Sequence, residues 1–287
     1  MDINPWIVAA VLLGALLHAS WNALIKSSTD KSLDTALIHS LGGVIALPVL
    51  LWAGLPHPDA WPFIAASTVV HLGYYATLAA AYKYGDLGLT YPIMRGSAPL
   101  LVALSSAALL GEPLSGGLWL GIVGICAGVL LLGLAGRGAR GAGAQQAVVF
   151  ALLNAVLIAT YTIIDGLGVR AAGNALSYVA VLFLLDAFPY MLVVLWLRSP
   201  AQRVQAMAYF RGRWPIALVG TCASLGSYGI ALWAMTHMPV AVVAALRETS
   251  VLFAVAMGFF LLRERLGWGK VIGALAIVGG VWWIRLA

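Results

Sequence analysis

One stretch of this chain is repeated. Arg95 to Val129 aligns with Arg247 to Val281 at the constant offset of 152 residues that separates Arg95 from Arg247. The identical pairs are Arg95/Arg247, Leu100/Leu252, Leu109/Leu261, Leu110/Leu262, Glu112/Glu264, Leu114/Leu266, Gly117/Gly269, Gly121/Gly273, Ile125/Ile277, Gly128/Gly280 and Val129/Val281. Shared leucines carry little weight in so apolar a sequence. The matched arginines, glutamates and glycines carry more. Each copy reads as an apolar helix bearing one arginine, a Glu-x-Leu turn and a glycine-bearing second helix. A repeat of this kind constrains the fold to two related halves, and in membrane proteins a binding site lies between such halves.

Composition places the chain in a membrane. Hydrophobic residues make up 62% of its 287 positions and charged residues only 9%, against about 25% charged in a soluble domain. A spanning helix needs about 20 apolar residues. Runs of that length fall at roughly 5–26, 34–54, 60–83, 88–110, 115–135, 145–168, 176–198, 213–236, 240–262 and 267–285. The expected fold is therefore all-α and integral to the membrane, ten transmembrane helices in two inverted five-helix repeats, residues 1–140 and 141–287. Inversion follows from the odd number of helices per repeat. The stretch from Ser199 to Arg213 is expected to lie outside the membrane. No basic stretch or small-residue cleavage site marks a signal peptide, so the first apolar run is expected to stay as a helix.

Net charge of +6 does not imply nucleic acid, because the basic residues sit in short loops beside apolar runs. Twelve of them (Lys26, Lys31, Lys83, Arg137, Arg140, Arg198, Arg203, Arg211, Arg213, Arg263, Arg265 and Lys270) fall on one side, against Arg170 and Arg285 on the other. By the positive-inside rule both termini are expected outside. Cys126 and Cys222 lie in apolar runs without metal or disulfide spacing and read as small core residues.

Polar residues inside the spans are the functional candidates, since an ionised side chain at mid-membrane costs about 2.5–3.5 kcal/mol. Arg95 and Arg247 each lie about seven residues into a helix, roughly 10 Å deep. Each either meets an anionic ligand or braces helices through carbonyls or an acid, as Arg247 does if it pairs with Glu248. His18, Trp21, Asn22 and Ile25 share one face of helix 1. Asn154, Ile158, Tyr161 and Asp165 do so on helix 6, His71, Tyr74, Tyr75, Leu78 and Tyr82 on helix 3, and Ser224, Ser227, Tyr228 and Ala231 on helix 8. Such mixed stripes suit walls of a wet cavity. Tyr82, Tyr84 and Trp268 read as interfacial belt residues. Pro92 and Pro99 are expected to bend helix 4 beside Arg95.

Other signals fail. The glycine pattern at Gly136–Gly141 joins two membrane helices and follows no strand, so it is a loop rather than a dinucleotide site. No phosphate-binding loop, His-Glu-x-x-His or Gly-x-Ser-x-Gly sequence is present, so no catalytic residue, metal or cofactor is expected. Glycine pairs Gly117/Gly121, Gly124/Gly128 and Gly269/Gly273 allow close helix contact, within one chain or in a dimer.

On these residues the chain resembles the EamA family of the drug/metabolite transporter superfamily. The resemblance rests on ten short-looped helices and on Glu112 and Glu264, each in a Leu-x-Glu-x-Leu turn before a Gly-rich helix. The segments His18 to Asn22 and Tyr91 to Gly96 look like one branch of it, resembling YddG-type amino acid exporters. The resemblance implies an inner-membrane, multi-pass secondary transporter, not an enzyme, that exports amino acids or similar small metabolites by alternating access. Drug-like or other organic compounds are the alternative cargo, and a membrane-embedded lipid-modifying enzyme is the rival class. Expected substrate contacts are His18, Trp21, Asn22, Tyr75, Tyr91, Arg95, Tyr161, Tyr228 and Arg247. Glu248 and Asp165 are the proton-coupling candidates. The expected partners are a small-molecule substrate and the lipid bilayer, with no nucleic acid, in a monomer or homodimer.

Overall fold

A computed structural model describes residues 4–85, 87–134, 144–262 and 267–287. Every regular element among them is helical. Glu264, the glycine pattern at 136–141, Arg137, Arg140, Arg263, Arg265 and the expected repeat boundary at 140/141 lie outside the described residues. Ten helical segments are long and apolar enough to cross a membrane. They comprise α1 (Pro5–Lys26), α2 (Lys31–Ala53), α3 (Trp61–Tyr84), α4 (Leu87–Ser105), α5 (Gly116–Leu134) and α6 (Ala144–Ala171). There follow α7 (Ala175–Ala187) with α8 (Pro189–Trp196), α9 (Pro200–Met235), α10 (Val240–Arg247) with α11 (Ser250–Leu262), and α12 (Trp268–Leu286).

Local sequence explains most of the boundaries. Asn4, Asp30, Asn174 and Ser199 cap α1, α2, α7 and α9 through side-chain oxygens. Ser199 and Gln202 form a full capping box, which starts α9 where a loop was expected. The Ser199 to Arg213 stretch is thus the first turns of a 36-residue helix, about 54 Å long at 1.5 Å per residue. That exceeds the hydrocarbon core of about 30 Å, so its polar start extends beyond the bilayer.

The expected bend and the observed break fall in different repeats. Helix α4 runs through Pro92 and Pro99 without interruption and ends in a π turn at Ser106–Leu110, closed by Gly111 at φ 61°. The ninth span, which has no prolines, is the one that breaks, between Arg247 and Ser250. There the ladder tightens to three-residue hydrogen bonds, Glu248 N–H to Ala245 and Thr249 N–H to Leu246, and the Thr249 hydroxyl donates to the Leu246 carbonyl at 2.7 Å.

Helix pairing follows two-fold symmetry. Helix α3 packs on α6 and its repeat mate α9 packs on α1, while the mated pairs α2/α7 and α5/α12 pack on each other. A Cβ added at Gly128 would stand 2.6 Å from the Gly273 carbonyl, and one at Gly280 2.6 Å from the Gly121 carbonyl. The small-residue stripes therefore join α5 to α12 within one chain. Exposed tryptophans ring both ends of the bundle: Trp6, Trp52 and Trp282 at the end holding the termini, Trp196, Trp214 and Trp268 at the other. Cys126 is buried as expected; Cys222 is exposed on α9, a correction to its reading as a core residue.

The two ends differ in density. Val11, Ile64, Val102, Ile122, Tyr178, Met235 and the whole of Val240–Leu246 form one dry core near the termini. The half toward the basic loops is hollow. Gly128→Val is expected to lower stability by about 1–3 kcal/mol by forcing α5 from α12, whereas Gly229→Ala, with open space around it, leaves the thermal unfolding of detergent-solubilised protein unchanged.

Candidate functional site

The hollow half encloses a cavity of about 370 Å³. His18, Trp21, Asn22, Tyr75, Tyr91, Arg95, Tyr161, Tyr228 and Arg247 all line it, brought from α1, α3, α4, α6, α9 and α10. The cavity reaches the basic-loop end, because Ile25, Thr35, Tyr82 and Tyr91 at its mouth all sit in terminal turns on that side. Tyr82 is thus a mouth residue as well as a partly exposed interfacial one. Tyr84, by contrast, stacks on Phe150 with ring centroids 5.7 Å apart.

Its walls are aromatic. His71 stacks on Tyr161 at 4.4 Å, Tyr74 meets Tyr75 edge-on at 5.2 Å, and His18 meets Trp21 edge-on at 5.4 Å. Asn154 donates to the Tyr74 carbonyl and the Thr77 hydroxyl, both at 2.9 Å, and so fixes α6 on α3 beneath them.

The two arginines are not equivalent. Arg95 Nε lies 2.9 Å from Glu248 Oε2, in a pair whose side chains are 12% and 5% exposed. Geometry makes this an ion pair rather than a directed hydrogen bond, and Arg95 Nη2 is buried without a hydrogen-bond partner. Glu248 therefore joins α4 to the break in the ninth span and leaves its sequence neighbour Arg247 unpaired. The Arg247 guanidinium lies 5.3 Å from the Tyr228 ring centroid, half-buried on the cavity wall, with no carboxylate in ion-pair range among the described residues.

Asp165 sits deeper, off the cavity wall. It is fully buried, accepts a hydrogen bond from Tyr178 at 2.9 Å and a second, short one from Tyr228. Tyr228 thus touches Arg247 with its ring and Asp165 with its hydroxyl.

Sequence reasoning missed Thr35, His39, Thr68, Phe183 and Asp186, which also line the cavity. Asp186 and His39 carried the same signal as the arginines, a titratable group within an apolar run. Asp186 is isolated on α7, and His39 pairs only with Thr35 four residues earlier, too short a stripe for periodicity to single out.

Phe183 closes the cavity on the terminal side. Its ring meets Tyr228 edge-on at 6.2 Å, and Gly42 leaves it room, since a Cβ there would lie 3.1 Å from the ring. Beyond it a second cavity of about 960 Å³ is lined by Ala46 and Val49 of α2, Val179 and Ala180 of α7, and Gly229 and Ile230 of α9.

Ion pairs between the halves flank the cavities. At the terminal end Glu112 meets Arg170 at 2.6 Å and accepts from the Val240 N–H at 3.0 Å. At the basic end Arg213 meets Asp34 at 2.6 Å and Arg198 meets Asp30 at 2.8 Å. Burial alone would raise the Asp30 carboxyl, but hydrogen bonds from Ser32, the Leu33 amide and Arg198 hold it below the usual carboxylate range.

The sequence profile of the EamA-like transporter family matches the chain twice, over residues 5–134 and 145–286. The chain belongs to the EamA-like transporter family. It is a multi-pass membrane protein of a family of transporters, in the drug/metabolite superfamily. Among curated proteins no match is found. One solved structure, titled only "Crystal structure of protein", aligns over 98% of this EamA-like chain and 96% of its own length, with 19% identity and a TM-score of 0.76. At that identity it speaks for the fold alone.

Removing either partner of the Arg95–Glu248 pair strands a buried charge. Arg95→Gln and Glu248→Gln are expected to cost roughly 3–5 kcal/mol of stability, read as a lower midpoint of thermal unfolding in detergent. Arg247→Gln strands nothing and leaves that midpoint within a degree or two.

Proposed function

We propose that this protein is a secondary-active exporter of amino acids or similar small zwitterionic metabolites, working by alternating access in the bacterial inner membrane. The observation that carries the reading is Arg247, a half-buried cation on the wall of a membrane cavity, with no carboxylate in ion-pair range among the described residues. Keeping it there is costly unless a ligand or water completes it. Arg247 takes the substrate carboxylate. Arg95, held by Glu248, lines the same space. Trp21, Tyr75, Tyr91, Tyr161 and Tyr228 form the wall for the side chain, and His18 and Asn22 supply hydrogen bonds. The alternative, drug-like or other organic compounds, suits the aromatic wall but leaves the unpaired charge without a role.

Alternating access draws support from the two cavities. They lie on either side of Phe183, between elements of both repeats, and swinging that ring from Gly42 joins them. In the proposed cycle the Glu112–Arg170 tie holds the outer side shut while the inner cavity loads. Rocking of the halves then breaks it. With the basic loops in the cytoplasm, the cavity that contains Arg247 opens inward. A C-terminal fusion to alkaline phosphatase is expected to be active and one to green fluorescent protein dark; the reverse pattern would invert the direction of transport.

Between the two proton-coupling candidates, Asp165 fits better than Glu248. Glu248 is committed to Arg95, whereas Asp165 accepts from two phenols and has no cation in ion-pair range among the described residues. Tyr228 links it to Arg247. In proteoliposomes, labelled amino acid is expected to exchange across the membrane and to accumulate against its gradient under an imposed pH difference. Asp165→Asn keeps the exchange and loses the pH-driven accumulation. Wild-type accumulation indifferent to the pH gradient would remove the proton from the cycle, and absence of exchange across a panel of amino acids would remove the cargo.

A further inference from the structure

The cavity holds a second unpaired charge, of opposite sign. Asp186 on α7 is the one acidic side chain among the described residues that line it, and no arginine, lysine or histidine nitrogen lies in ion-pair range of its carboxylate. Asp186 and Arg247 thus share one membrane cavity without pairing to each other. Left free, two opposite charges in such a place attract strongly and close on one another.

Both are held in place. Ala187, the residue after Asp186, is fully buried and packs where a Cβ on Gly43 would come within 2.4 Å of its own, which fixes α7 on α2. Arg247 precedes Glu248, which the Arg95 ion pair anchors. The protein therefore holds a separated positive and negative pole on rigid supports, and the space between them is ligand space. Rings gather on the Asp186 side: His39 of α2 and Tyr75 of α3 line the same cavity, and both feel the charge of the Asp186 carboxylate. Aromatic faces beside a carboxylate suit an ammonium group, which takes a charge-assisted bond from the acid and cation–π contact from the rings.

We infer that Asp186 is the ammonium-recognising residue of the cavity, with Arg247 as the carboxylate-recognising one, so that the cargo carries both groups on one small scaffold. This rests on the amino acid reading above and adds a residue and a selection rule to it. Solutes lacking the amine leave Asp186 desolvated and unmatched, and solutes lacking the carboxylate do the same to Arg247. Each is discriminated against by the charge it fails to meet.

The test uses the intact protein in proteoliposomes and three probes with one side chain: phenylalanine, phenethylamine without the carboxylate, and 3-phenylpropionate without the amine. Wild type is expected to prefer phenylalanine to either analogue by about tenfold or more in counterflow. In Asp186→Asn the preference over phenylpropionate is lost while that over phenethylamine stays. In Arg247→Gln the losses are exchanged. N-acetylphenylalanine competing against phenylalanine on wild type needs no variant, and is expected to bind about tenfold more weakly. Transport of phenylalanine with undiminished discrimination in Asp186→Asn, or equal competition by the N-acetyl compound, overturns the Asp186 assignment alone. If wild type moves none of a broad amino acid panel, the underlying reading falls and takes this one with it.

Discussion

One buried ion pair sets the chemistry of this protein apart from its symmetry. Arg95 and Arg247 are repeat mates, but only one acid lies between them. Glu248 sits at the position that the offset of 152 residues between the mated arginines assigns to Gly96 in the first half. Gly96 has no room for a side chain, because a Cβ there would meet Leu130 at 2.7 Å. The acid therefore exists on one side only. It neutralises Arg95 across the repeat interface, breaks the ninth span at its own position and leaves Arg247 uncommitted. A buried pair of this kind is weak as a source of stability and strong as a constraint, since either partner alone is a charge in a dry place. The free arginine follows from the occupied one.

Much of the fold could be read from the sequence, for a definite reason. In a membrane every backbone polar group must be satisfied within its own segment, so apolar length translates almost directly into helix. The cavity walls were legible where a helix carries a full stripe, as with His18, Trp21 and Asn22, or Asn154 and Tyr161. What escaped depends on tertiary contact. The break after Arg247 falls where Glu248 reaches Arg95, far away in sequence, and where the Thr249 hydroxyl bonds the Leu246 carbonyl. The prolines of α4 were the louder signal, but they do not interrupt their helix: Pro92 lies against Gly133, where a Cβ would stand 1.9 Å from its ring, and the helix continues past it. Asp186 stands alone at the end of a mostly apolar helix and His39 shares its face only with Thr35, so their position beside the cavity becomes visible only when α2 packs on α7.

The two cavities show how a duplicated half acquires a direction. Matching the capping residues Asp30 and Asn174 brings Thr35 onto Val179 and His39 onto Phe183, and the arginine offset brings Tyr74 onto Gly226 and Leu78 onto Ile230. On the inner side these positions supply a hydroxyl, an imidazole and a phenol. In the second cavity Val179, Gly226 and Ile230 supply methyls and a bare backbone, while Phe183 turns its ring to the first. Symmetry of the backbone gives both ends a cavity, and substitution at these mated positions gives one of them a polar wall and the other an apolar one.

That difference bears on release. A solute seated between Arg247 and Asp186 has both charges met and its side chain against rings. Moved past Phe183, it meets an apolar wall with Asn174, Arg170 and His237 only at the far edge, and Arg170 is already bound to Glu112 and to the Met235 carbonyl. Water is then the better partner for its charges. In the proposed cycle the outer cavity is a place to leave rather than a second place to bind, so affinity falls along the path from the inner face to the outer one. Such a gradient cannot drive net flux by itself, since it alters both directions of exchange alike. It sets where the empty carrier reloads, and in the proposed cycle Asp165, which accepts a hydrogen bond from Tyr228, makes that choice cost a proton.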